Sequence, residues 1–259
     1  MKEFFAFQYQ TKLLAGLFFA LLLIFPLTAF AEGIAELNFI GFSKDGKYVA
    51  FEEYGAMYSD AGPTDSFSRY YFLNVEKNVY AVNPIRVSIE RENEEVVSKA
   101  RARARLKAAP LLKKFGIVPN NHGSLLVSRM MTDNAYQEVG SEGEYRTINF
   151  TTEIVLGMGY PPGHDFELTL KTLASQENSP CGSNSFKIEM LLKDKTNNTE
   201  KYLQKDSDVP KDRDCPLAYG IQYIYLYKNS LIIFLNTYIQ GFETRNAQYM
   251  AVTGKVALD

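Results

Sequence analysis

Apolar positions fall into three patterns along the chain: one long run near the start, short alternating segments through most of the length, and one stretch with helical spacing. The alternating segments carry aromatic and β-branched residues and predict strands. They are Leu37 to Phe42, Tyr48 to Tyr54, Tyr70 to Val75, Thr147 to Leu156, Phe166 to Leu173, Ser185 to Leu192, Ile221 to Tyr227, Leu231 to Tyr238 and Ala247 to Val252. The first two flank Asp45-Gly46, whose residues tolerate the positive φ of a two-residue hairpin turn. A polar loop is expected over Ser59 to Ser68, and a turn at Glu76-Lys77-Asn78. Because strand side chains alternate between faces, Phe51 and Glu53 point one way and Glu52 and Tyr54 the other. The two adjacent carboxylates therefore share neither a proton nor a metal ion, and the stretch reads as a hairpin rather than a catalytic pair.

The helical stretch covers about residues 90–115, Glu90 to Phe115. Val97, Ala100, Ala104, Ala108, Leu111 and Phe115 form its apolar stripe. Glu90, Glu92, Glu94 and Glu95 come first and Lys99, Arg101, Arg103, Arg105 and Lys107 follow, an order that suits the helix dipole, with Glu95 one turn from Lys99. Pro110 is expected to kink or divide the helix. The basic run has two readings, a surface for anionic lipid or nucleic acid and a solvated face whose stripe packs on a sheet. The acidic first turn favours the solvated face.

These elements predict a mainly β fold of antiparallel sheets with one long charged helix. The sheets are expected to pack propeller-like or, as the second choice, as a β-sandwich. The order strand, turn, strand, loop, strand near the amino end recurs near the carboxyl end, but two such units do not make a repeat array.

The long apolar run changes the picture of location. Lys2 and Lys12 precede or open Leu13 to Leu27, and Ala29-Phe30-Ala31 offers a small-x-small cleavage site, so residues 1–31 read as a signal peptide cut after Ala31. Residues 32–259 are then one secreted domain. Losing Lys2, Glu3 and Lys12 takes the formal charge from −2 to −3, which argues against a nucleic-acid binder. No second run qualifies as a membrane span, since Ile221 to Ile239 is broken by Lys228-Asn229-Ser230. Cys181 and Cys215, each beside a proline, are expected to form a disulfide in an oxidising compartment. Free or metal-binding thiols are the alternative, but the pair lacks close spacing and further ligands.

Candidate chemistry is sparse. The mature chain has two histidines, His122 and His164, both in turns, and Ser124 lies near the first. No nucleophile-elbow, zinc-protease or phosphate-loop motif accompanies them. Asp206, Asp208, Asp212 and Asp214 crowd one loop, yet Lys205, Lys211 and Arg213 interleave, so a solvated, self-paired loop is expected and no metal or cofactor. Asn149 and Asn197 open short glycosylation-like patterns that carry little weight. The chain holds 17 Tyr and 18 Phe but no Trp. Tyr223, Tyr225 and Tyr227 share one strand face, where they would either stack on a ligand or pack at the edge of the core.

"FSKDGKYVAF", Phe42 to Phe51, resembles a repeat of the periplasmic TolB-like β-propellers. Across more of the chain, "GFSKDGKYVAFEEYG", "NPIRV" (Asn83 to Val87), the charged helix and "GFETRNAQYMAVTGK" (Gly241 to Lys255) together resemble a bacterial family of predicted secreted proteins of unknown function. That resemblance implies export and supplies no catalytic residue. The expected function is a non-catalytic periplasmic domain that binds a cell-envelope protein or glycan. A hydrolase using His122 or His164, and a structural envelope factor without a small ligand, are the alternatives.

Overall fold

The computed structural model describes residues 33–258 apart from 60–61, 91–95, 130–137, 153–162, 177, 211–212 and 242–244. Residues 1–31, read as the leader, lie outside the described residues. The described chain is mainly β, with thirteen strands in three antiparallel sheets and one helix.

The first sheet contains β1 (Glu36–Phe42), β2 (Tyr48–Ser59), β3 (Gly62–Asn74) and β4 (Val79–Tyr80) in that order, with β5 (Ile85–Glu90) also paired to β3. The helix α1 spans Val96–Lys114. A middle sheet has β6 (Ser124–Ser128) next to β11 (Ala218–Tyr227), then β12 (Ser230–Gln240) and β13 (Arg245–Lys255). The third sheet is the meander β7 (Tyr145–Thr151), β8 (Asp165–Ala174), β9 (Phe186–Asp194) and β10 (Thr199–Lys205).

The sheets stack face to face, which is sandwich-like packing. Phe39, Phe42, Phe51 and Tyr71 of the first sheet meet Ile232 and Phe234 of the middle sheet. Leu168, Leu170, Ile188 and Met190 of the third sheet meet Ile224, Ile233 and Leu235 on its other face. The middle sheet is thus covered on both sides. Nine consecutive residues of β12 from Ser230 are buried, which explains its near-continuous apolar sequence. The outer face of the first sheet is covered by α1, whose Ala100, Ala104 and Ala108 rest on Ala50, Tyr70, Phe72 and Val87. Small residues at this contact let the helix backbone lie close to the sheet.

The expected hairpin forms, but around four residues rather than a two-residue turn: the Ser43 N–H donates to the Tyr48 carbonyl, and of Asp45 and Gly46 only the glycine takes positive φ. Asp45 Oδ1 accepts from Ser43 Oγ at 2.7 Å and from the Lys47 N–H at 3.0 Å, and Gly46 takes φ 72°. The tip docks on the middle sheet, where Ser230 Oγ donates to the Gly46 carbonyl at 2.7 Å. A β-carbon on Gly46 would lie 2.6 Å from that hydroxyl.

Several expectations need correction. The polar stretch Ser59 to Ser68 is not an open loop: β2 runs to Ser59 and β3 begins at Gly62, because the pairing extends past the apolar core. The helix starts later than Glu90, which ends β5 paired to Asp65. Glu92, Glu94 and Glu95 lie outside the described residues. Pro110 does not divide α1, which continues through it to Lys114. Strands β4, β6 and β10 carry too little apolar alternation to have been foreseen, whereas β5 was missed although Ile85, Val87 and Ile89 alternate with polar residues.

Cys181 and Cys215 are joined by a disulfide that ties the β8–β9 loop to the loop entering β11, across a sequence separation of 34. A loop of this length corresponds to about 3–4 kcal/mol of stabilisation. The edge of the middle sheet at β13 is also tied down. The Tyr249 N–H donates to Glu53 Oε1 and the Thr253 N–H to Asn78 Oδ1, both at 2.8 Å. Asn78 Nδ2 in turn donates to the Leu203 carbonyl of β10 at 3.0 Å, so one turn side chain bridges all three sheets.

Candidate functional site

The two carboxylates of the opening hairpin are both buried, on opposite faces of β2. Glu52 is 1% exposed and points towards α1. Arg101, one turn into the helix, donates from Nε to Oε1 at 3.0 Å and from Nη2 to Oε2 at 2.9 Å. Asn38 Nδ2 donates to Oε2 at 2.8 Å and Ser68 Oγ to Oε1 at 3.0 Å. Burial alone would raise this carboxyl, but the Arg101 fork and the Asn38 and Ser68 bonds outweigh it and hold the pKa below the usual glutamate value. The Arg101 guanidinium carbon lies over the Tyr54 ring, 3.6 Å from its centroid.

Glu53 is 0% exposed and points between the first and middle sheets. Its Oε2 accepts from Tyr71 Oη at 3.1 Å and from Arg69 Nη1 at 3.4 Å, and its Oε1 takes the Tyr249 N–H. Here burial prevails and the carboxyl is pushed up, although Arg69, the Tyr249 amide and Tyr71 oppose it.

The Glu52 side of the sheet opens into a cleft of about 580 Å³. Helix α1 covers β2, β3 and β5, which leaves the outer face of β1 free beside it. The chain leaving the helix forms the far rim. Val118 donates its N–H to the Phe42 carbonyl at 3.0 Å and Asn120 to the Ile40 carbonyl at 2.9 Å, so residues 117–121 lie along β1. Gly41 permits this approach, since its φ is 140° and a β-carbon there would meet the Val118 carbonyl at 2.5 Å. Asn38, Glu52, Tyr70 and Arg101 make the floor, Ile40 and Leu112 supply apolar wall, and Ala102 and Arg105 stand on the helix side. The Tyr70 phenol is pushed up to about 12 by burial and by Glu52, against the pull of Arg101 and Arg105.

The other candidate residues lie elsewhere. Tyr223, Tyr225 and Tyr227 are partly buried on the middle-sheet face that meets the first sheet. Tyr225 packs 4.9 Å from the Phe39 ring, Tyr227 stacks on Phe42 at 5.6 Å, and the Tyr227 hydroxyl donates to the Lys44 carbonyl at 3.2 Å. His122 stacks on Phe39 with ring centroids 4.8 Å apart. His164 is buried, with Nδ1 3.1 Å from Asp194 Oδ2. Asp194 also accepts from the Thr196 and Asn197 N–H groups, which makes it a turn residue of β9–β10. Ser124 opens β6. Among the described residues no serine or cysteine side chain hydrogen-bonds to either histidine ring, and the two rings are not brought together.

In the acidic loop, Asp206 is held by Arg213 and accepts the Ile188 N–H at 3.0 Å. Asp208 accepts from Ser175 Oγ at 2.9 Å and from the Val209 N–H at 2.8 Å. Asp214 is exposed, and Asp212 lies outside the described residues. No cluster of three metal-ligating side chains occurs among the described residues. No helix there is long and apolar enough to cross a membrane.

A family model described as "Predicted secreted protein (DUF2259)" matches residues 50–255. The chain belongs to this family. The match takes in Glu52, Tyr70, Arg101 and Arg105 but not Asn38 or Ile40, so most of the polar floor of the cleft lies inside the family's span. The family description speaks of secretion and of no ligand or reaction. No curated protein and no solved structure matches the chain.

Sequence reasoning placed Glu52 on a face away from Glu53 but missed the cleft. Its partners come from Asn38, Ser68 and Arg101, and no local pattern announces that combination.

Proposed function

We propose that residues 32–259 form an exported, non-catalytic binding domain of the bacterial periplasm, released from a leader cut after Ala31, and that its ligand sits in the cleft between α1 and β1. The single observation that carries this reading is the cleft itself. Its volume falls in the range typical of small-molecule sites, and its polar groups are fixed by a buried network rather than left on a mobile surface. Membership of a secreted family and the Cys181–Cys215 disulfide support export to an oxidising space. Envelope glycans and peptides are the partners such a domain meets there.

The test uses the mature chain in a thermal-shift panel of envelope glycans, peptides and small acids. Ala102→Trp fills the cleft from its exposed helix side. Compounds that raise the melting temperature of the parent should have no effect on this variant. Hits that persist in Ala102→Trp would place binding elsewhere.

A second surface has a specific observation in its favour. Tyr223, Tyr225 and Tyr227 are only partly buried, so an aromatic edge remains open where the first and middle sheets meet. Changing Tyr223 and Tyr225 together to Phe keeps the packing and removes the hydroxyls. Loss of the same hits in that variant, with Ala102→Trp unaffected, would favour the tyrosine edge over the cleft.

A further inference from the structure

Resting on the cleft reading, we propose that the ligand is an amphipathic anion, with one acidic head held at Arg105 and the free side of Arg101 and an apolar or ring-bearing body against Ile40 and Leu112.

The one carboxylate of the floor has no lone pair to offer. A carboxylate has about four lone-pair positions. Glu52 fills four, two with Arg101 and one each with Asn38 and Ser68. A neutral or cationic ligand that donates hydrogen bonds therefore finds no free carboxylate here. Donors remain in surplus. Arg101 turns Nε and Nη2 to Glu52, which leaves Nη1 uncommitted among the described residues. Arg105 makes no ion pair or hydrogen bond among the described residues, and it lines the same cleft one turn further along α1. Among the described residues that line the cleft, two guanidinium groups against one carboxylate leave a single uncompensated positive charge. Planar guanidinium groups favour an oxyanion that can accept two parallel bonds.

The walls set the rest of the ligand. Ile40, Leu112 and Pro119 are apolar and line the cleft beside these donors. A fully hydrated inorganic ion would leave them bare, whereas an acid with an apolar body covers them and gains from burial.

The experiment uses two fluorescent probes of matched shape with the mature chain. Anilinonaphthalene sulfonate carries a single negative charge, and phenylnaphthylamine lacks it. The sulfonate should bind saturably at one site. Ala102→Trp should abolish that binding, and Arg105→Glu should weaken it about tenfold or more, the loss of one charge-assisted contact. Phenylnaphthylamine should bind weakly and respond to Ala102→Trp but not to Arg105→Glu. Each variant is first checked for an unchanged urea midpoint, and Arg105→Gln replaces Arg105→Glu if the latter shifts it. Sulfonate binding that survives Ala102→Trp overturns both the cleft and the anion. Binding lost in Ala102→Trp but unchanged in Arg105→Glu keeps the cleft and overturns the anion. Phenylnaphthylamine binding as tightly as the sulfonate, and lost in Ala102→Trp, has the same meaning.

Discussion

The two faces of β2 treat neighbouring glutamates in opposite ways. Glu52 faces the helix and is matched by a full set of donors, so it stays charged at low cost. Glu53 faces the sheet interface, where the Arg69 contact is longer and burial prevails. The difference teaches that burial alone does not decide the state of a carboxylate; the number and geometry of its donors do. It also assigns roles. The Glu53 side fastens the edge of the middle sheet, and the Glu52 side holds the floor of an open cleft.

The sharpest test removes each carboxylate in turn. Glu53→Ala leaves the Tyr249 N–H, the Tyr71 hydroxyl and Arg69 without their shared acceptor, and should cost about 3–5 kcal/mol in urea unfolding with an unchanged m-value. Replacing Cys181 and Cys215 by Ala should cost about 3–4 kcal/mol. Because neither a disulfide nor alanine titrates, this loss should not vary with mild acidity, which makes it the control. Glu52→Ala should cost less, about 1–3 kcal/mol, because the Arg101 side chain is 36% exposed and can turn to water. Equal losses for the two glutamates would erase the contrast.

Acidity separates them by sign. The folded-state pKa of Glu53 lies above the ordinary 4.5, so the unfolded chain gives up its proton first and stability falls as pH rises from 4.5 through the folded value. Glu53→Gln should remove that decline and gain on the parent as pH rises through the window. For Glu52 the folded value lies below 4.5, so its contribution is present above 4.5 and lost as pH falls through the folded value. Glu52→Gln should flatten that acid-side loss. Unfolding midpoints measured across mildly acidic pH would show slopes of opposite sign, and slopes of the same sign would refute the assignment. The smallest effect is expected at Arg105→Glu, an exposed position with no ion pair or hydrogen bond among the described residues, where stability should stay within about 0.5 kcal/mol of the parent.

The local parts of this architecture were legible in the sequence. The Asp45-Gly46 turn, the opposite facing of Glu52 and Glu53, and the alanine stripe of α1 all follow from rules that act within a few residues. The distant parts were not. The Tyr249 amide that reaches Glu53 is 196 residues away, and Arg101 is 49 residues from Glu52. β6 joins β11 across more than a third of the chain, from Ser128 to Tyr223, and its short run Ser124–Ser128 gives no sign of that pairing. The start of α1 was misplaced because Glu90 fits a helix by composition, while its pairing with Asp65 draws it into β5. The candidate site arises where three such distant pieces converge, so no single stretch displayed it. The tyrosine stripe was visible for the opposite reason, since alternation within one strand is enough to show it.

The fastening at β13 has a further consequence. An unpaired sheet border is a place where a second copy can add its own strand, and crowded unfolded chains exploit such openings to form aggregates. Here Glu53 and Asn78 already occupy the Tyr249 and Thr253 amides, two of the points that an incoming strand would have to use. Side chains thus guard the border that backbone alone would leave open, and a newly delivered chain can complete its own stack before a neighbour completes it instead.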